Sequence, residues 1–344
     1  MKPVKDRITA ILVSVVAFAF FAGAAWVGPA ASAQMQTKPQ PQKPTRSEQN
    51  PQDKDDPITL GTNLVILDVT VVDPSNRPAM DLTQDQFQVV EDKVQQKIEF
   101  FTREQVPVSM VLAIDTSGSM RAKLDTVIKA STNLVKESRK DDEVAVIEFK
   151  DQPELLEEFT TNVGDVVDTL NGLIASRQTA MLDALYVGAD YASKEGRNRR
   201  KAVVIVTDGI DKDSYYKFNE VVNHLRETDV QVYLIGFTSD LSKDGAWVFG
   251  RSDKEKAENL LKQIAEETGG KAFFPRELTE VHTIAQQISN DLRTQYSIGY
   301  YPTNSKRDGT FRAVKVTINA GGNRRLVART RNGYTAPREG ETRN

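Results

Sequence analysis

The stretch Val106-Pro-Val-Ser-Met-Val-Leu-Ala-Ile-Asp115-Thr-Ser-Gly-Ser-Met120 decides the reading of this chain. Val108, Met110, Val111, Leu112, Ala113 and Ile114 make the nearly continuous apolar run expected of a parallel strand covered on both faces. The run ends in Asp115, Ser117 and Ser119, a carboxylate and two hydroxyls at alternate positions of a loop that opens a helix. Gly118 gives that loop the backbone freedom to let all three converge. Oxygen donors of this kind suit a small hard cation. Asp, Ser and Gly also build turns and helix N-caps, so the string alone leaves both readings open.

Two further stretches narrow the choice. In Arg177-Gln-Thr-Ala-Met-Leu-Asp-Ala-Leu185, Thr179 sits just before a helix, and in Lys201-Ala-Val-Val-Ile-Val-Thr-Asp-Gly209, Asp208 ends a second apolar run. All three stretches fall where an open α/β sheet binds its ligands, outside the carboxyl ends of its strands. Together they resemble the metal-ion-dependent adhesion site of von Willebrand factor type A domains, whose pattern is Asp-x-Ser-x-Ser, a distant Thr, and a distant Asp followed by Gly. The resemblance implies a magnesium ion held directly by Ser117, Ser119 and Thr179. Asp115 and Asp208 would act mostly through water or hydrogen bonds, and a partner's Asp or Glu carboxylate would complete the shell. Manganese and calcium accept the same oxygens, so the residues do not select among the three. The donor chemistry agrees with that division of roles. Magnesium takes about six oxygens and keeps several waters. A site with only two carboxylates leaves much of its charge available to an incoming acid.

At 344 residues the chain is long enough for one large domain and a smaller one. Its 45 Lys and Arg against 48 Asp and Glu give a net charge of −3, which argues against a general nucleic-acid binder. Arg197, Arg199, Arg200 and Lys201 read as a solvated loop between a helix and a strand. There is no Cys, which excludes disulfides, zinc thiolate sites and thiol nucleophiles.

Residues 1–33 place Lys2, Lys5 and Arg7 before an apolar run from Ile8 to Ala25, then Pro29 and Ala31-Ser-Ala33. That is the pattern of a secretory signal peptide, and it implies an exported protein, periplasmic or extracellular. The run approaches the ~20 residues that span a bilayer, but Gly23, Pro29 and the small-residue stop favour cleavage, leaving no stable membrane span. Residues 34–57 are rich in Gln, Pro, Lys, Asp and Ser and read as a disordered linker. Residues 58–104 and 294–337 both look strand-rich, and neither flank can close a sheet alone. We expect them to pair into one small β-sandwich, with 338–344 a disordered tail.

The intervening residues 105–293 alternate strand and helix. Strands are predicted at 107–114, 143–149, 201–207, 230–236 and 271–274, with an edge strand near 154–159. Helices are predicted at 120–138, 163–174, 180–194, 214–228, 254–268 and 278–292. Short strands alternating with longer helices give a doubly wound, mostly parallel α/β sheet, which the family resemblance also implies.

Other chemistry is poorly supplied. His224 and His282 are the only imidazoles, and both fall inside amphipathic helices. No G-x-S-x-G elbow, phosphate loop or dinucleotide fingerprint is present. Asp211 and Asp213 read as caps of a helix beginning near Ser214. Tyr215 and Tyr216 follow them and could reach the rim of the metal site, as could Trp247 and Phe249 in the connection 238–253. The function expected is a non-enzymatic, metal-dependent protein-binding module. Its rivals are an envelope scaffold in which the metal only braces loops, and a metal-dependent hydrolase. The oligomeric state is not legible.

Overall fold

A computed structural model describes residues 64–103, 105–176, 178–208, 211–241, 252–322 and 324–340. The signal segment, the linker, residues 58–63, Trp247, Phe249 and the last four residues lie outside the described residues. In chain order the first strands are β1 (Val65–Val72), β2 (Phe87–Glu91), β3 (Val94–Gln96), β4 (Ile98–Thr102) and β5 (Val108–Asp115). Helix α1 (Leu124–Lys136), strands β6 (Glu143–Phe149) and β7 (Pro153–Thr160), and helices α2 (Val163–Asn171) and α3 (Met181–Glu195) follow. Next come β8 (Arg200–Thr207), α4 (Phe218–Glu227), β9 (Val230–Gly236), α5 (Asp253–Thr268), β10 (Lys271–Phe273) and α6 (Glu280–Arg293). The chain closes with β11 (Gln295–Tyr300), β12 (Phe311–Ile318), β13 (Val327–Arg329) and β14 (Gly333–Thr335).

The middle of the chain forms a six-stranded sheet in the order β10-β9-β8-β5-β6-β7, with β7 antiparallel to its neighbour and the other pairings parallel. Every residue of β5 is buried, because helices cover both faces. Met110, Leu112 and Ile114 enter one core, and Val111 and Ala113 enter the other. That two-sided burial is why the run is apolar without alternation. Burying each such Val, Leu or Ile contributes roughly 1.5–3 kcal/mol. The chain leaves β5 for β6 on one side and later returns as β8 on the other, so the strand order reverses at β5. The carboxyl ends of β5 and β8 flank that reversal, the place where such sheets take ligands.

The two flanks pair as expected into antiparallel sheets, β13-β1-β11-β4 and β14-β12-β2-β3. Between them lies a third core, with Leu67, Val69 and Val71 from β1 facing Phe87, Val89, Val314 and Val316. Two strands escaped the sequence reading. β3 and β14 are three residues each. Asp92 and Lys93, at positive φ between β2 and β3, turn that hairpin.

The outer face of β1 and β11 meets the amino ends of the wound strands through polar groups. Here the structure corrects one expectation. Arg200 is not part of a solvated loop: it is 1% exposed, donates to the Leu292 carbonyl at 2.8 Å and contacts Asp68 at 3.3 Å. Arg199 reaches the same Asp68 carboxylate and the Ser297 hydroxyl. A guanidinium in this position needs fixed acceptors on both partners, and the sequence did not say that Asp68 would supply them. Asp291 pairs with Arg329 at 2.6 Å in the same seam.

Candidate metal centre

Asp115 closes β5 and is fully buried. Its Oδ1 accepts from the Ser117 amide at 2.9 Å, and its Oδ2 accepts from the Thr207 hydroxyl at 2.7 Å. Thr207 is the last residue of β8, so this bond sets the adjacent Asp208 beside Asp115. Ser117 precedes a single 3-10 turn over Gly118–Met120, and that turn brings its Oγ within 3.0 Å of the Ser119 Oγ. Ser117 is buried and Ser119 exposed, so the pair forms the edge of an opening.

The loop carrying Thr179 is tied to both neighbours. The Ser176 amide donates to the Thr116 carbonyl at 2.7 Å, and the Ala180 amide donates to the Lys150 carbonyl at 2.7 Å. The Thr179 carbonyl accepts from the Lys212 and Asp213 amides at 3.1 and 3.2 Å, which fastens it to the loop following Asp208. All three sequence-predicted loops are therefore bonded to one another around the ends of β5 and β8, with Thr179 and Asp208 both buried.

Burial pushes the Asp115 carboxyl up to about 6, the Ser117 and Thr207 hydrogen bonds opposing the rise and the Asp208 charge adding to it. A carboxylate in this setting is short of positive charge. Among the described residues no cluster of three His, Asp or Glu side chains could hold a metal. A cation here must take much of its shell from the Ser117, Ser119 and Thr179 hydroxyls and from water. The residues present fit magnesium on that basis.

Asp211 does a different job from the one expected. It caps α3, not α4: its Oδ1 accepts from the Met181 amide at 2.9 Å and from the Leu182 amide at 3.3 Å, and the Ser214 hydroxyl donates to it at 2.5 Å. Asp183, in the first turn of α3, accepts in return from the Tyr215 and Tyr216 amides. Residues 214–216 are consumed by this exchange, and Lys217, whose amide donates to Glu220 at 2.8 Å, caps α4, which begins at Phe218. Spacing could not reveal a cap supplied from 30 residues away.

The expected rim is divided. Tyr216 turns inward, stacked on Tyr186 with ring centroids 3.8 Å apart, and Tyr186 stacks in turn on His224. Tyr215 is 80% exposed. Ile174, in the loop leading to Thr179, is 76% exposed and was missed, because an isolated apolar loop residue carries no pattern. A cleft of about 260 Å³, lined by Asp68, Arg199, Gln231, Glu267 and Arg331, lies at the amino ends of β8 and β9. That is the wrong end of the sheet for ligands of this fold.

No helix among the described residues is long and apolar enough to cross a membrane. No curated protein matches the chain. Among solved structures it is similar to a von Willebrand factor type A protein from Catenulispora acidiphila, at 12% identity and TM-score 0.46, covering 80% of this chain and 75% of that one. It is also similar to the conserved hypothetical protein BatB from Bacteroides thetaiotaomicron, at 20% identity and TM-score 0.41, covering 54% of this chain and 98% of that one. A third similarity is to the vWF domain of the type V pili tip protein Mfa5 from Porphyromonas gingivalis, at 14% identity and TM-score 0.43, covering 55% and 97%. Family matching is decisive: residues 109–287 match the von Willebrand factor type A domain, and this chain belongs to that family.

Proposed function

We propose that the protein is an exported, divalent-metal-dependent binding module that captures an acidic side chain of a protein partner. Domains of this family are in general protein-interaction or adhesion modules rather than enzymes. The observation that carries the finer reading is the bonding of three loops around the buried Asp115 carboxylate, with Ser117, Ser119, Thr179 and Asp208 gathered at the same sheet end. In this reading magnesium is the resident ion, and it supplies a Lewis-acidic position for the partner's carboxylate. Ser117, Ser119 and Thr179 would hold the ion, while Asp115 and Asp208 would act mostly through water or hydrogen bonds. The exposed Tyr215 and Ile174 would offer the partner apolar contact. Residues 105–293 do the binding, and the sandwich built from 58–104 and 294–337 is their mount.

The test is a pull-down of envelope proteins on the immobilised chain, with magnesium or with chelator, using wild type and Asp115→Ala. Partners recovered by wild type with magnesium alone support the reading. Identical recoveries in all arms contradict it.

A further inference from the structure

The turn that joins β6 to β7 supplies none of the residues assigned to the ion, yet it holds two of the loops that do. Phe149 pairs with Pro153, so Lys150, Asp151 and Gln152 alone make the turn. Its first contact runs to Thr116, the residue between Asp115 and Ser117. The Thr116 amide donates to the Phe149 carbonyl at 3.0 Å, and the Thr116 hydroxyl donates to Oε1 of Glu148 at 2.8 Å. Nζ of Lys150 donates to the other oxygen, Oε2, also at 2.8 Å. The Glu148 carboxylate therefore has a donor on each oxygen, one from the Asp115 loop and one from the turn.

The second contact runs to the Thr179 loop. The Lys150 carbonyl accepts from the Ala180 amide at 2.7 Å, and Oδ1 of Asp151 accepts from the Gln178 amide at 3.1 Å. Those two amides stand immediately before and after Thr179. One short turn thus grips the residue beside Ser117 and both residues beside Thr179.

Glu148 and Thr116 are both buried, and a carboxylate is costly to bury unless it is paired and hydrogen-bonded. An apolar residue would satisfy the strand at less cost. What the carboxylate adds is a fixed acceptor for a hydroxyl that belongs to the Asp115 loop. Ser117, Ser119 and Thr179 all lie off the strands, and magnesium tolerates little departure from octahedral geometry. Hydroxyls already held at the right separation spare the ion the cost of ordering them.

We propose, on the strength of the metal reading above, that the β6–β7 turn is the positioning frame of the metal centre. Glu148 acts through Thr116 on the Ser117 and Ser119 side of the site, and Lys150 and Asp151 act through the Ala180 and Gln178 amides on the Thr179 side. Together they set the gap between the two groups of hydroxyls. Glu148, Thr116 and Asp151 are positioning residues, influencing the ion only through the loops they hold. Supports of this kind typically contribute 10–100-fold to metal affinity.

Calorimetric titration of the purified full chain with magnesium chloride tests this, with thermal melts in chelator run beside it. Wild type is compared with Thr116→Val, which keeps the shape and loses the hydroxyl, Thr116→Ser, which keeps the hydroxyl, and Asp151→Ala. Thr116→Val should raise the magnesium Kd about 10–100-fold, and Thr116→Ser should return it to the wild-type value. Asp151→Ala should raise the Kd in the same direction, and it decides alone if Thr116→Val does not fold. The melts report any purely structural loss, whereas the Kd of folded protein at a temperature below every transition reports positioning. Folded variants that bind magnesium with the wild-type Kd overturn the proposal and leave the metal reading standing. Wild type that takes up no magnesium removes both.

Discussion

Asp115→Asn tests how the site divides its energy between folding and metal. The wild-type carboxyl is lifted from 3.8 to about 6, chiefly by burial, so the ionised side chain costs the metal-free fold on the order of 3 kcal/mol at neutral pH. The folded state of such a group binds more protons than the unfolded state between the two values. Stability therefore falls as pH rises from 3.8 to about 6, and the full cost is present above that window. Asparagine keeps the acceptor for the Ser117 amide, and the Thr207 hydroxyl can rotate to accept from the new amide nitrogen. In chelator at pH 7.5 the variant should be more stable than wild type by about 1–3 kcal/mol, or a few degrees in Tm. Its advantage should vanish near pH 4. Saturating magnesium should reverse the order, since an ion at about 1,000 times its Kd adds about 4.1 kcal/mol to wild type alone. Thermal melts of both proteins at the two pH values, with chelator and with magnesium, measure every quantity in this argument. A variant less stable by the same amount at both pH values in chelator would refute it.

Other substitutions probe the supports. Asp211→Ala removes the acceptor of the Met181 and Leu182 amides and should cost about 1–2 kcal/mol in urea unfolding, with weakened magnesium affinity because Thr179 adjoins that cap. Asp68→Ala leaves the buried Arg200 only the Leu292 carbonyl and should cost about 3–5 kcal/mol, read from the urea midpoint at unchanged slope. Gly270→Ala sets a Cβ 2.0 Å from the Val232 carbonyl oxygen. Backbone must move to relieve that contact, so Tm should drop by several degrees, with the loss located between β9 and β10 by amide exchange.

The wound sheet was legible because its signals are local. Apolar runs such as 108–114 and 201–207 reflect burial on both faces, and the helices between them carry one apolar stripe each. The site was legible for a related reason. Strand ends must turn at the same sheet edge, so Asp115 and Asp208, each closing an apolar run, were bound to be neighbours once their strands paired. What the sequence hid is non-local. The Asp211 cap crosses from one loop to another helix, and Arg200 looked solvated because its acceptor, Asp68, lies 132 residues away. Strands as short as β3 and β14 are set by the strands they pair with and not by their own composition.

The central claim is that three loops at the ends of β5 and β8 hold one divalent cation. Manganese has an anomalous signal and accepts the same oxygens as magnesium, so crystals of the chain grown with manganese locate the ion directly. The account expects one strong anomalous peak bounded by Ser117, Ser119 and Thr179, absent from crystals of Asp208→Asn. A wild-type map with no peak there, or a peak that survives Asp208→Asn undiminished, would contradict it.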